Sequence, residues 1–299
     1  MGDYHVHLHD HGPYRGVGPP LGEYPPGHIE AYVAQAAANG LAEVGFTEHL
    51  YRCVESIPVL GRFWDKEPQQ DLADQTEAFV AEDRTLSLDA YVDAVADAKD
   101  RGLPVKLGLE VDFFPETIDA VLEFLEPYPW DFLVGAVHWI GGWAVDYDGS
   151  AHEFRRRGVR QAYEEYFALE RELAASGAVD VLAHVDVVKV HGDVLAQPPT
   201  DLYEGVVAAA VSSGTAVEVS SAGLHKPIGE LYPAPSFLDM FGRAGVPITL
   251  ASDAHHPEHC GRDSGVLVHA AREAGYLHHL VFDRRVSQTQ DLPTTDQYS

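Results

Sequence analysis

Short, mainly apolar runs alternate along the chain with longer segments whose apolar residues recur three and four positions apart. The runs at 2–8, 41–46, 105–111, 132–137, 179–183, 216–219 and 247–251 have the length and continuity of strands buried on both faces. The segments at 28–39, 87–101, 116–125, 154–175, 202–212, 237–244 and 265–274 predict helices. In the first of these, Ile29, Tyr32, Val33, Ala36 and Ala37 line one face and Asn39-Gly40 supplies the stop. Seven strands alternating with helices predict a parallel α/β architecture.

Two stretches break the alternation. Pro13, Pro19, Pro20, Pro25 and Pro26 exclude a helix from the first loop. Residues 50–83 lack a clear period and read as an excursion over one end of the fold. At the C-terminus, 287–299 is polar and reads as a disordered tail behind a folded domain covering 1–286.

The polar residues are as ordered as the apolar ones. His49, Glu110, His138, His184, Asp253 and His255 all fall at or just beyond the C-terminal end of a predicted strand. In a parallel barrel those ends share one mouth, which is where active sites are built. The first strand adds His5 and His7, two residues apart and therefore on one face. Imidazoles and carboxylates gathered in this way suit zinc, iron or manganese. One ion cannot take them all, so two or three divalent ions are expected, with a carboxylate such as Glu110 bridging two of them. His9 and His11 extend the histidine series into the first loop.

Charge narrows the partners. The 299 residues carry 47 acidic and 20 basic side chains, a formal charge of -27, which argues against nucleic-acid or anionic-membrane surfaces. No apolar run approaches the roughly 20 residues of a membrane helix. Cys53 and Cys260 form no CxxC pair, so free thiols and a reducing, cytoplasmic setting are expected. Against the acidic background, Arg62, Lys189 and Lys226 stand out in loops that follow strands and are candidate phosphate-binding cations. Trp64, Trp139 and Trp143 read either as pocket walls or as core aromatics, and His269, His278 and His279 as surface residues.

The ordered motifs resemble those of the PHP (polymerase and histidinol phosphatase) family, most closely its monofunctional histidinol-phosphate phosphatases. They are the HxH opening after Asp3-Tyr4, Phe46-Thr47-Glu48-His49, Gly108-Leu109-Glu110-Val111-Asp112, Gly135-Ala136-Val137-His138-Trp139, Ala183-His184-Val185-Asp186, Ser221-Ala222-Gly223-Leu224, Tyr232-Pro233-Ala234-Pro235 and Ser252-Asp253-Ala254-His255. The resemblance implies a single-domain, distorted (β/α)7 barrel, TIM-like, around a trinuclear metal centre. It implies that His5, His7, Glu110 and Asp253 hold one ion, Glu110, His138 and His184 a second, and His49, His255 and one first-loop histidine the third. For that last ligand His11 is preferred to His9. Asp253, His255 and Glu110 would then be the catalytic residues.

The implied reaction is hydrolysis of a small phosphate monoester, L-histidinol phosphate to L-histidinol and phosphate in histidine biosynthesis, through a hydroxide bridging two ions. The alternatives are a family phosphoesterase acting on another small ester or a nucleotide, and a non-catalytic metal-binding module. The chain departs from the phosphatase pattern after Leu224, where His225-Lys226 replaces an expected arginine and so lacks its two-pronged fork.

Overall fold

The apolar runs form two parallel sheets in the computed structural model, which describes residues 1–10, 16 and 18–294. The first sheet holds β1 (Gly2–Val6), β2 (Glu43–Phe46) and β3 (Val105–Leu107), in that order. The second begins with β4 (Glu110–Asp112) and β5 (Val134–Ala136). A small antiparallel hairpin, β6 (Trp139–Ile140) with β7 (Trp143–Ala144), follows β5 in the chain. The second sheet then continues through β8 (Val181–Leu182), β9 (Ala216–Ser220) and β10 (Ile248–Ala251).

The run expected to be one strand over 105–111 is therefore two: β3 pairs with β2, and β4 pairs with β5. Gly108 makes the break possible. A Cβ there would stand 2.5 Å from the Phe132 ring and 2.9 Å from the Phe46 carbonyl oxygen, so no larger residue fits. Among the described residues, ladders do not close the strands into a ring. The two sheets meet through single parallel bridges, His49 with Glu110 and Val6 with Ala254.

Helices α1 (His28–Ala38), α2 (Ile57–Leu60), α3 (Gln70–Asp83), α4 (Leu88–Asp100), α5 (Ile118–Leu125), α6 (Glu153–Arg157), α7 (Val159–Ser176), α8 (Thr200–Ser213), α9 (Pro235–Ala244) and α10 (Ser264–Glu273) occupy the connections. Helix α3 lies inside the stretch that showed no period. Its buried residues, Leu72, Ala73, Thr76, Val80 and Asp83, do keep helical spacing, but two are polar and hide the apolar signal. Both have partners: Thr76 Oγ1 donates to the Gly142 carbonyl at 2.6 Å, and Asp83 accepts from Tyr51 Oη at 2.9 Å. The helix predicted over 154–175 is interrupted at Gly158, whose φ of 87° separates α6 from α7. Trp64, Trp139 and Trp143 are all buried in the main core.

The expected tail is corrected by a hairpin. Strand β11 (His278–Asp283) pairs antiparallel with β12 (Val286–Asp291), and Leu292 beyond it is buried. Every residue of β12 is exposed, so backbone pairing orders it and its polar sequence carries no burial signal. Strand β11 packs Val281 and Phe282 into a small cluster with Tyr4, Phe132, Val134 and Val181. His279, expected at the surface, is buried there as well.

Candidate metal centre

The strand ends bring six imidazoles, His5, His7, His49, His138, His184 and His255, around two carboxylates, Glu110 and Asp253. Glu110 is fully buried at the start of β4 and forms the hub. Its Oε2 lies 2.6 Å from His49 Nδ1, 3.4 Å from His5 Nε2 and 3.6 Å from His7 Nε2. Its Oε1 lies 3.1 Å from His184 Nε2 and 3.4 Å from His138 Nε2. Asp253 Oδ1 stands 3.3 Å from His7 Nε2 and 3.7 Å from both His5 Nε2 and His255 Nδ1. The His7 ring stacks on those of His49 and His255 at 4.4 and 4.3 Å.

The backbone is bent to hold these positions. His184 and Asp253 follow β8 and β10 with φ of 22° and 52°, a left-handed region that costs a non-glycine residue about 1–3 kcal/mol. Asp3 clasps the end of β10 to β1, accepting from Ser252 N at 2.9 Å, from Ser252 Oγ and from Gly261 N at 2.8 Å. That clasp sets Asp253 opposite His5 and His7.

Two buried carboxylates outside the sequence-derived set orient the rings. Glu218, inside β9, receives His5 Nδ1 at 2.9 Å through one oxygen and the His184 backbone N–H at 2.7 Å through the other. Asp112 receives His138 Nδ1 at 2.7 Å. Each engages Nδ1 of its imidazole and leaves Nε2 aimed inward. The Nε2 atoms then face one another, His5 to His7 at 3.1 Å and His138 to His184 at 3.3 Å. Ring nitrogens opposed at that range need a shared proton or a metal ion. Ligands about 2.0–2.1 Å from a tetrahedral zinc stand roughly 3.3 Å apart, so this spacing suits a shared ion.

The donor atoms form three overlapping sets able to hold an ion: His5, His7 and Glu110; His49, Glu110 and His138; and His7, His49 and His255. The electrostatics agree with a positive occupant. Burial alone pushes the Glu110 carboxyl up, yet His49, His5 and His138 outweigh it and hold it well below the usual carboxylate range. Asp253 behaves alike, burial being overcome by His5, His7 and His255.

The other candidates divide. His11 lies outside the described residues. His9 is turned to other partners: its Nε2 lies 3.2 Å from the Glu23 carbonyl and accepts from Gly22 N, and its Nδ1 lies 3.4 Å from Glu48. Arg62 does not join the cluster; it is exposed, paired with Asp65 and Glu77, and set over the Trp64 ring. Lys189 is buried with its donors taken by Asp186 at 2.9 Å, Glu230 at 2.7 Å and the Leu231 carbonyl at 2.7 Å. Lys226 is half-buried and makes no ion pair among the described residues.

A PHP-domain family model matches residues 26–222. This chain belongs to the PHP family. A Deinococcus radiodurans relative named probable histidinol-phosphatase is 31% identical over 256 residues, covering 86% of this PHP-family chain and 91% of that protein. The Bacillus subtilis histidinol-phosphatase is 25% identical over 250 residues, covering 76% and 87%. In fold, the chain matches the Lactococcus lactis histidinol phosphate phosphatase, solved with zinc, L-histidinol and phosphate, with a TM-score of 0.67 at 22% identity over 96% and 98% of the two chains. A putative histidinol phosphatase from Listeria monocytogenes matches with a TM-score of 0.68 at 18% identity over 89% and 99%. The motif resemblance thus holds at the level of the family, and the parallel α/β fold is shared with its phosphatases.

Proposed function

We propose that this PHP-family protein is a metal-dependent phosphomonoesterase that hydrolyses L-histidinol phosphate to L-histidinol and phosphate. The observation that carries the reading is the convergence of six imidazoles on the buried Glu110 and the strand-end Asp253. The relatives' shared name supplies the substrate. The Lactococcus lactis enzyme's zinc, L-histidinol and phosphate supply the ligand classes.

In this reading His5, His7, Glu110 and Asp253 hold one divalent ion, and Glu110, His138 and His184 a second. His49 and His255 contribute to a third together with His11. When bound, such ions lower the pKa of a coordinated water and neutralise phosphoryl oxygens. The chain's own part is placement. Glu110 would tie the sites together, Glu218 and Asp112 hold the rings of His5 and His138, and Asp253 and His255 would act from the β10 end. The two sheets, bridged at their seams, act as a distorted seven-unit barrel with this cluster in its mouth. A net charge of -27 favours a small substrate with a cationic end over nucleic acid. Both cysteines are buried free thiols, in keeping with a cytoplasmic enzyme. No helix among the described residues is long and apolar enough to cross a membrane.

The test is turnover of L-histidinol phosphate beside a panel of sugar and nucleotide monoesters, before and after chelation. Selective turnover that chelation abolishes and zinc, iron or manganese restores is the expected result. Equal slow rates across the panel would indicate a promiscuous phosphoesterase, and bound metal without turnover a non-catalytic module.

A further inference from the structure

Tyr4, Tyr51, Tyr91 and Tyr166 are buried, and the chain supplies an acceptor for each hydroxyl: Glu43 at 2.6 Å, Asp83 at 2.9 Å, the Gly108 carbonyl at 2.8 Å and Glu170 at 2.7 Å. Tyr232 is buried to the same degree, at 1% exposure, yet its Oη has no hydrogen-bond partner among the described residues. An enclosed hydroxyl without an acceptor destabilises a fold, and a bound ligand that accepts from it removes that penalty.

Tyr232 stands against the histidine cluster itself. Its ring meets the His184 ring edge-on, with centroids 6.3 Å apart and planes at 73°. Two backbone hydrogen bonds with Ser220, at 2.6 and 3.1 Å, tie it to the C-terminal end of β9. Glu218, two residues earlier on that strand, receives His5 Nδ1 and the His184 N–H, so the tyrosine and two cluster histidines are positioned by one strand. The ring is held from other sides as well. Lys189 Nζ lies 5.3 Å from its centroid, and Gly223 backs its hydroxyl end, where a Cβ would stand 3.0 Å from the carbon that bears Oη. Burial raises the pKa of the hydroxyl, and the charges of Asp186, Asp146 and Asp253 raise it further, so Oη lies in the field of the carboxylate at the β10 end of the cluster.

From this geometry we propose that Tyr232 is a substrate-contacting residue whose hydroxyl donates a hydrogen bond to an oxygen of the phosphoryl group drawn to the cluster. The assignment rests on the phosphomonoesterase reading and adds to it a neutral donor at the β9 end. Such a donor has work to do here, because Arg62 and Lys189, two of the cations that sequence suggested for the phosphate, are paired with Glu77 and Glu230. A phenol donates without bringing a charge that would repel the ions of the cluster. Its ring, clamped by the β9 backbone, Lys189 and Gly223, needs little reorganisation when the oxygen arrives.

The experiment compares the full chain with Tyr232→Phe, which keeps the ring and removes only the hydroxyl. Bound metal and the phosphate-free melting temperature are measured on both, followed by calorimetric titration of the metal-loaded proteins with inorganic phosphate and by kcat/KM for L-histidinol phosphate. A hydroxyl waiting for a ligand predicts unchanged metal content and a melting temperature equal to the parent's or higher, because an unmatched group has been removed. Loss of a hydrogen bond to a charged oxygen predicts phosphate binding weaker by roughly 10- to 100-fold and a matching fall in kcat/KM. Unchanged phosphate affinity would overturn the assignment, as would loss of metal in the variant, which would make Tyr232 a support for His184 alone. Failure of the functional reading would look different: phosphate affinity would still depend on Tyr232 while the parent turned over no L-histidinol phosphate. A metal-loaded parent that binds no phosphate would overturn both.

Discussion

The two ends of the parallel strands use the same residue types to opposite purpose. At the N-terminal ends, Asp131 accepts both Lys99 Nζ contacts at 2.7 Å, Leu107 N at 2.9 Å and Arg284 N at 3.1 Å. Asp180 likewise accepts Leu133 N at 2.7 Å and pairs with Arg285 Nε at 2.6 Å. Both carboxylates, Asp131 buried and Asp180 partly buried, are met by donors that the chain itself supplies, and the β11–β12 turn is fastened down by them. At the C-terminal ends, Glu110 and Asp253 meet imidazoles whose own nitrogens crowd one another, and the charges are balanced by exchangeable protons or ions and not by fixed lysine and arginine donors. Satisfied carboxylates stabilise a fold, whereas carboxylates that share an unmet need with their neighbours mark a binding site.

The sharpest way to break that comparison is Glu110→Gln. Losing the carboxylate that spans the ligand sets should lower kcat/KM by at least about 10³-fold and reduce bound metal. Retention of a full complement of ions with activity within tenfold of the parent would remove Glu110 from the hub. Glu218→Gln comes next, because it disturbs only the orientation of His5 and His184. A loss of about 10- to 100-fold in metal affinity or activity is expected for a group of this kind. Metal titration followed by rate measurement separates the two effects, and a silent variant would make Glu218 a core residue.

Asp131→Asn tests the other end. It leaves Lys99 and two backbone donors poorly matched, so it should cost about 2 kcal/mol of unfolding free energy while kcat/KM stays within about threefold. Lys99 is 37% exposed and partly rescued by water, which keeps the loss below that of a fully buried pair. Denaturant unfolding reads the first quantity and steady-state kinetics the second. A large activity loss without destabilisation would erase the distinction between the ends.

The sequence exposed the histidine cluster at the C-terminal strand ends more readily than the ion pairs at the opposite end. Strand alternation placed His5 and His7, and the strand-end pattern placed His49, Glu110, His138, His184, Asp253 and His255, because charged residues just behind apolar runs are conspicuous. Glu218 was missed although its signal was present: a carboxylate inside Ala-Val-Glu-Val-Ser, an otherwise apolar strand, has to be buried against something. Asp112 offered a similar hint, two residues from Glu110 on the same strand face. Helix α3 and the β11–β12 hairpin were hidden for another reason. Thr76 in α3 is met by Gly142, distant in sequence, and β12 is held by the backbone of its neighbour β11, and neither kind of contact leaves an apolar pattern to read. Ion pairing was equally invisible, and Arg62 and Lys189 looked free until Glu77 and Glu230 were seen beside them.

The smallest expected effect concerns pH, and it separates the ends without any mutation. Burial disfavours the charged form of His138, but Glu110 and the hydrogen bond to Asp112 prevail and hold its pKa up at about 10 in the absence of ions. A histidine raised above its unfolded value of about 6.5 stabilises the fold fully below that pH. The contribution fades as pH rises from there towards 10. Glu110 and Asp253, both depressed, act in the other direction, and their contribution disappears only in acid. The metal-stripped protein should therefore lose several degrees of melting temperature between about pH 6.5 and pH 9.5. The metal-loaded protein should not, because ions bind deprotonated imidazole and gain affinity as protons leave. Melting curves of both forms across that range decide the matter. Parallel slopes would mean that the strand-end histidines do not exchange protons for metal, and that the two ends of the sheet are electrostatically alike after all.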